Sequence, residues 1–265
     1  MEDIKDMPAV VALDTETTGL NPEDDRIVEV ALLRIEKGII KKRFSSLLNP
    51  ESEIPANGLP VNKITSQMLE RAPFFRDVAQ EIYGFIKGEI LLIQNADFDI
   101  PFLKAEFRRC GIRFPETSVY DTLHIAKTLF SFGHGKNSLS SLAGAYNLAV
   151  EGMHRAEKDA MLAYEIFLRF LAEKKVDVLN RTRDTSDINY VDTETVHRSI
   201  EEAISQGREI SIKYRNRNDE VTTRRIEPVK VFTENGKSYL DAFCSMKNAN
   251  RKFRLDKILK VFDNI

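Results

Sequence analysis

The chain has 265 residues, 42% hydrophobic and 30% charged, enough for one large domain or two smaller ones and typical of a soluble globular protein. No apolar run reaches the ~18 residues that a membrane span needs, and the start MEDIKDMP has no apolar signal core. The only cysteines, Cys110 and Cys244, lack the spacing of a metal or redox pair, so free thiols in a reducing cytoplasm are expected. The net charge of −2 divides unevenly: residues 1–194 hold 24 Lys+Arg and 31 Asp+Glu (−7), residues 195–265 hold 15 and 10 (+5). This asymmetry predicts two domains. The basic one suits an anionic partner such as nucleic acid, although a small domain can be mildly basic without one.

In chain order, residues 9–13 (AVVAL) form a short apolar run that predicts a buried strand. Residues 26–35 and 38–48 read as two further strands around the turn at Lys37-Gly38, ended by Asn49-Pro50. Residues 65–87 read as helical with a break near Pro73, and 90–93 as another buried strand. A helix is expected over 101–110, with Pro101 in its first turn and Gly111 just past its end. Helices follow at 122–130, 138–147 and about 157–173. Strands that come first and then alternate with helices predict an α/β domain with a mixed sheet. The polar, aperiodic stretch after Lys174 reads as a linker, giving domains over 1–175 and 194–265 with residues 176–193 between them. The second domain is predicted as a helix over 194–206 and strands at 209–215, 221–232, 237–243 and 251–255, a small barrel or sheet.

The tetrapeptide DTET occurs twice. At 14–17 it follows AVVAL, so Asp14 and Glu16, two apart in a strand, project from one face. Two such carboxylates repel unless a cation lies between them, and a hard divalent ion is the natural candidate; two solvated acids are the plain alternative. A second element, NADFDIPFL (95–103), holds Asp99, which could equally be a helix N-cap just before Pro101. A third, HRAEKDA (154–160), holds Asp159 in the first turns of a helix. Five helical positions turn about 140°, so His154 must sit in the loop before that helix. The other DTET, 192–195, precedes Val196, Ile200, Ala203 and Ile204 at helical spacing. There Asp192 or Thr193 reads as an N-cap, with Gly207 at the helix end.

Each element has an ordinary reading alone. In this order and at these separations, DTETTG, NADFDIPFL and HRAEKDA resemble the three exonuclease motifs of the DEDD superfamily, in its histidine-containing branch. The resemblance covers residues 8 to about 173 and extends to NPESEIP, Lys63-Ile64-Thr65 and Asp121-Thr122-Leu123. It departs at Gln94 and Asn62, where the family often has histidine; neither carries the metal chemistry, so the departures bear on substrate preference. The resemblance implies a ribonuclease-H-like fold and 3′→5′ exonuclease activity. It implies that Asp14, Glu16, Asp99 and Asp159 hold two divalent cations, Mg²⁺ or Mn²⁺, that His154 is the general base, and that the backbone around Thr17 receives the 3′-terminal nucleotide. Two cations can clamp the attacking and leaving oxygens of a phosphoryl displacement, and a histidine can accept the water's proton. Asp121 reads as a helix cap or a support to the site.

The last part, with EEAISQGREISIKYRN, RRIEPVKVF and KSYLDAFCSMKNANRKFRLDKI, resembles the WYL domain, a small Sm-like β-barrel; Ser238-Tyr239-Leu240 replaces the tripeptide that names it. The resemblance implies a ligand surface at Tyr239, Arg251 and Arg254. Basic groups with an aromatic suit a phosphate backbone and a stacked base; alternatively Tyr239 and Phe253 are core and the arginines solvated. The expected partner is nucleic acid, DNA in preference to RNA, with a nucleotide as a further candidate ligand. An exoribonuclease or oligonucleotide trimmer, and a ligand-sensing regulator with a vestigial nuclease, stay open as alternatives.

Overall fold

The computed structural model describes residues 7–54, 59, 62–133, 136–188, 193–216, 221–234 and 237–263. They belong to two compact units, Met1–Tyr190 and Val191–Ile265. In the first unit β1 (Val10–Thr17), β2 (Ile27–Glu36) and β3 (Ile39–Leu47) form a meander. There follow α1 (Ser66–Leu69), α2 (Phe75–Ile86), β4 (Ile90–Ile93), α3 (Ala96–Arg109), β5 (Ser118–Asp121), α4 (Thr122–Leu129), α5 (Leu139–Ala145), α6 (Ala156–Leu179) and β6 (Thr182–Asp184). The sheet order is β3-β2-β1-β4-β5-β6. Strands β1, β4 and β5 run parallel, β2 and β6 flank them antiparallel, and β3 is antiparallel to β2. This is the mixed α/β sheet that the sequence predicts.

Strand β1 explains why AVVAL is unbroken. Val11 and Leu13 enter a core with Phe75, Phe102 and Phe107 of α2 and α3. Val10 and Ala12 enter a second core with Tyr164, Phe167 and Phe170 of α6. A strand covered on both faces is apolar throughout. The same alternation then carries Asp14 and Glu16 to the α6 side and Thr15 to the α3 side.

Three expectations are corrected here. Helix α3 starts at Ala96, so Pro101 is its sixth residue and Asp99 lies inside it. The N-cap position belongs to Asn95, in left-handed backbone at φ 70° without a side-chain cap bond. Residues 176–188 are not a linker. Helix α6 resumes after a kink at Lys174 (φ −142°, ψ 51°), β6 pairs with β5, and Ile188 is buried. The apolar periodicity stops at the kink, which is where the sequence suggested an end.

The second unit holds α7 (Thr193–Ser205), β7 (Ile210–Arg215), β8 (Val221–Glu234), β9 (Lys237–Cys244), β10 (Ala249–Arg254) and β11 (Ile258–Asp263). They form an antiparallel sheet in the order β10-β9-β8-β7-β11. Its core gathers Val196, Ile200 and Ala203 of α7 with Ile210, Ile212, Ile226, Leu240 and Phe253. The expected barrel is not closed: β10 and β11 are the two edges, unpaired with each other among the described residues. The sequence pattern sets strands but does not say whether their edges meet. Asp192 and the side chain of Thr193, expected as caps, lie outside the described residues. Gly207 ends α7 in left-handed backbone, φ 60°, with Arg208 N–H donating to Ala203 O at 2.9 Å. Among the described residues no helix is long and apolar enough to cross a membrane.

Candidate active site

The end of β1 and the start of α6 bring three carboxylates together. Asp14, Glu16 and Asp159 each offer an oxygen within 4.8 Å of the others. Burial, then the charges of Asp99, Asp159, Glu16 and Glu29, push Asp14 well above the usual carboxylate range. Burial raises Asp159 too, against the lowering effect of the His154 backbone N–H. That N–H donates to Asp159 Oδ2 at 3.2 Å, while Asp159 Oδ1, buried, has no hydrogen-bond partner. An all-oxygen donor set whose members repel, with a buried orphan oxygen among them, fits a hard divalent cation.

Asp99 is the fourth carboxylate. It comes from α3 on the opposite side of β1, and its Oδ1 accepts from Thr15 N at 2.9 Å and Thr15 Oγ1 at 2.7 Å. Burial pushes it up to about 7 although these bonds lower it. It raises Asp14 but stands outside the close trio. A bond partner across 84 residues leaves no local signal, which is why the sequence reading offered a cap instead.

His154 lies in the loop before α6, exposed, in left-handed backbone at φ 65°. Its neighbour Arg155 fixes that loop. Glu29 of β2 accepts from Arg155 Nη2 at 2.7 Å, from Nε at 3.0 and 3.1 Å, and from Ala156 N at 3.2 Å. Glu29 lies directly across from Glu16 in the sheet, so β2 and β1 together place the loop over the carboxylates.

Thr17 ends β1, and its Oγ1 donates to Gly19 O at 2.6 Å. A Cβ on Gly19 would lie 2.3 Å from Asp25 Oδ2, so any other residue there would displace the Asp25 carboxylate. Asp25 in turn accepts from Thr18 Oγ1 at 3.0 Å and Asn21 N at 2.9 Å.

Asn62 is closer to the chemistry than the sequence suggests. Its Nδ2 donates to Glu16 Oε2 at 3.0 Å, and its Oδ1 accepts from Ile64 N at 3.1 Å. The bond lowers Glu16 against the larger raising effect of burial. Gln94 bonds away from the carboxylates, its Nε2 donating to Asn137 O at 3.0 Å and its Oε1 accepting from Thr122 Oγ1. Asp121 caps α4 by accepting from His124 N at 3.1 Å. It also accepts from Asn95 N and Ala96 N, both at 3.2 Å, at the start of α3.

In the second unit the three expected ligand residues divide. Tyr239 pairs with Arg254 across β9 and β10, while Arg251 pairs with Ala242 and so points to the opposite face. Tyr239 stacks on Phe232, centroids 5.6 Å apart at 21°. Lys252 and Lys230 stand 4.9 and 5.8 Å from the Phe232 ring. Arg254 is held by Asp256. Phe253 is core; Tyr239 is half-buried.

Residues 11–167 match the family described as Exonuclease, and residues 195–262 match the WYL domain. The chain is 34% identical over 195 residues to DNA polymerase III subunit epsilon of Treponema pallidum (strain Nichols), covering 73% of this chain and 88% of that one. It is 35% identical over 162 residues to 3′-5′ exonuclease DinG of Bacillus subtilis (strain 168), covering 61% of this chain but 17% of the relative. Two solved structures share the fold. Exonuclease I superposes with a TM-score of 0.57 at 13% identity, over 97% of this chain and 65% of that one. The nuclease domain of 3′hExo, a DEDDh family member, gives 0.56 at 16% identity, over 63% and 93%. Fold and site thus define a hydrolase of the nuclease class, built on a ribonuclease-H-like sheet. The chain belongs to the exonuclease family, with a WYL domain after the nuclease.

Proposed function

We propose that the chain is a 3′→5′ exonuclease that removes nucleoside 5′-monophosphates from single-stranded 3′ ends of DNA. The observation that carries this is the convergence of Asp14, Glu16 and Asp159 around a buried, unpartnered Asp159 oxygen. The names of the epsilon and DinG relatives support the polarity and the nucleic-acid substrate. Asp14, Glu16, Asp99 and Asp159 would hold two cations, Mg²⁺ or Mn²⁺. When bound, these supply electrostatic stabilisation of the attacking and leaving oxygens.

The chain's own residues do the rest. His154, on its pinned loop, takes the proton of the attacking water as that oxygen bonds phosphorus and the P–O3′ bond breaks. The backbone at Thr17 seats the terminal nucleotide. Asn62 keeps Glu16 turned toward the cluster. In the second unit, the Phe232–Tyr239 stack lies beside Lys230, Lys252 and Arg254, each paired with a carboxylate (Asp241, Glu234 and Asp256), and an aromatic surface with basic groups at its edge suits a base and its phosphate. We assign it the binding of nucleic acid or a nucleotide, directing or regulating the nuclease.

The test is digestion of matched DNA and RNA oligomers, single-stranded and duplex, with the mononucleotide products resolved. Mononucleotides are expected from DNA 3′ ends with Mg²⁺ or Mn²⁺, and none with chelator. Asp14→Ala should fall to background, and His154→Ala by roughly 10²–10⁴-fold, the usual reach of general acid–base catalysis. A fully active Asp14→Ala protein overturns the assignment.

A further inference from the structure

The residues between the two matched segments, 168–194, belong to neither family description. Yet part of this stretch is fastened onto the helix that carries Asp99. Arg183 of β6 donates from Nη2 to Asp97 Oδ1 at 2.6 Å and from Nη1 to Asp121 Oδ2 at 2.8 Å. Asp97 is in the first turn of α3. Asp121 is 2% exposed and itself accepts the first two N–H groups of that turn, from Asn95 and Ala96. Two helical turns further on, Lys104 Nζ donates to Thr185 O at 2.6 Å and Ile188 O at 2.7 Å. Residues seven apart share a helix face, so Asp97 and Lys104 form one strip gripped by residues 183–188. Asp99 leaves the helix about 200° away from Asp97 and is tied to β1 through Thr15.

The segment is well anchored. Residues Ser118 to Tyr120 of β5 pair with β6, Thr117 N donates to Thr185 Oγ1 and Thr185 N to Thr117 O, both at 2.9 Å, and Thr185 is fully buried. Helix α3 is thus clamped between this strap and β1. At its start Asn95 makes no side-chain cap bond, and the N–H groups of Asn95 and Ala96 go to Asp121, which Arg183 itself grips.

We infer that Arg183 is a positioning residue for the exonuclease site: it fixes the first turn of α3, and through that turn sets where Asp99 stands. This rests on the role proposed above for Asp99. Through its bonds to Asp97 and Asp121, Arg183 reaches the start of α3 and not the catalytic face of that helix. Its guanidinium is suited to the task because two N–H groups in a rigid fork bridge two separate carboxylates. A lysine has a single ammonium on a flexible stem and holds such a bridge less well.

The experiment uses the full chain with Arg183→Ala, Arg183→Lys and the double variant Arg183→Ala/Asp121→Asn. Four quantities are read: Mn²⁺ affinity by calorimetry, kcat and KM on a single-stranded oligomer, all at one temperature, and the melting temperature from a thermal scan. Arg183→Ala should weaken Mn²⁺ binding and lower kcat by about 10–100-fold, the usual effect of losing a group that orients a metal ligand, with KM little changed. Arg183→Lys should recover part of both. Asp121→Asn in the Arg183→Ala background should lower both further, since an amide nitrogen cannot accept the Ala96 N–H that Asp121 Oδ2 accepts. Wild-type kcat and Mn²⁺ affinity in Arg183→Ala overturn the inference, even if its melting temperature falls, since that would be a structural role alone. If the wild-type chain binds Mn²⁺ but digests no nucleic acid, the functional reading fails, while the Mn²⁺ affinities still decide the role of Arg183.

Discussion

One oxygen of Asp159 is bonded to the His154 backbone and the other, buried, to nothing. This small asymmetry has a thermodynamic counterpart. Without cations, Asp99 is raised to about 7, and Asp14, Glu16 and Asp159 are raised as well, burial being the first cause for each. A carboxyl group raised in the folded state binds more protons there than in the unfolded chain, so stability falls as pH rises. The penalty is absent below about pH 4, where the unfolded chain is also protonated. For Asp99 it is complete above about 7. Chelator-treated protein should therefore melt lower at pH 8 than at pH 5.5. Asp99→Asn should flatten that decline, and Mn²⁺ should raise the melting temperature more at pH 8. Equal melting temperatures across this range in the metal-free protein would contradict the account. At this scale the sequence exposed the acids and the histidine, because each sits in a short contiguous motif. It concealed Asn62, Thr15 and Glu29, whose partners lie 46, 84 and 126 residues away.

The elements owe their placement to a few buried polar contacts as much as to apolar periodicity. Helix α6 begins where Glu29 takes Arg155 and the Ala156 N–H. Glu29→Ala leaves that N–H and a half-exposed guanidinium unpaired. The expected cost is about 1–2 kcal/mol, a charge-assisted bond discounted for the solvent that reaches Arg155. Because the same contact holds the His154 loop, kcat should drop by more than KM rises. Chemical denaturation paired with steady-state kinetics checks both, and a variant that is destabilised with normal kcat would detach Glu29 from the loop. The start of α3 shows the limit of reading periodicity. Pro101 argues for a helix beginning beside it, and Ala96-Asp97-Phe98-Asp99 carries no apolar stripe to argue otherwise. The helix begins at Ala96 because Asp121 and Arg183 bind its first turn, and both come from elsewhere in the chain. The kink at Lys174 misled in the opposite direction, ending the periodicity before the helix itself ends.

Across the whole molecule, the charge division between residues 1–194 and 195–265 has a measurable reading. Nucleic-acid affinity that depends on cations in the protein falls with salt in proportion to the phosphates neutralised. A chain ending at residue 190 should bind single-stranded DNA more weakly than the full chain, with a shallower slope of log affinity against log salt. Titrations at several salt concentrations with an inactive Asp14→Ala background would measure it, and identical slopes would remove the second unit from substrate binding. The place of that cut matters because of β6. The recognisable exonuclease family stops at residue 167 and the polar stretch begins soon after, so a fragment ending near 175 is the natural one to make. Such a fragment would lack Arg183 and the Thr185 and Ile188 carbonyls that hold Lys104. It would be a damaged nuclease, and its weakness would be credited to the missing C-terminal domain. Only a cut placed after the strap separates what the second domain contributes from what the first needs in order to be whole.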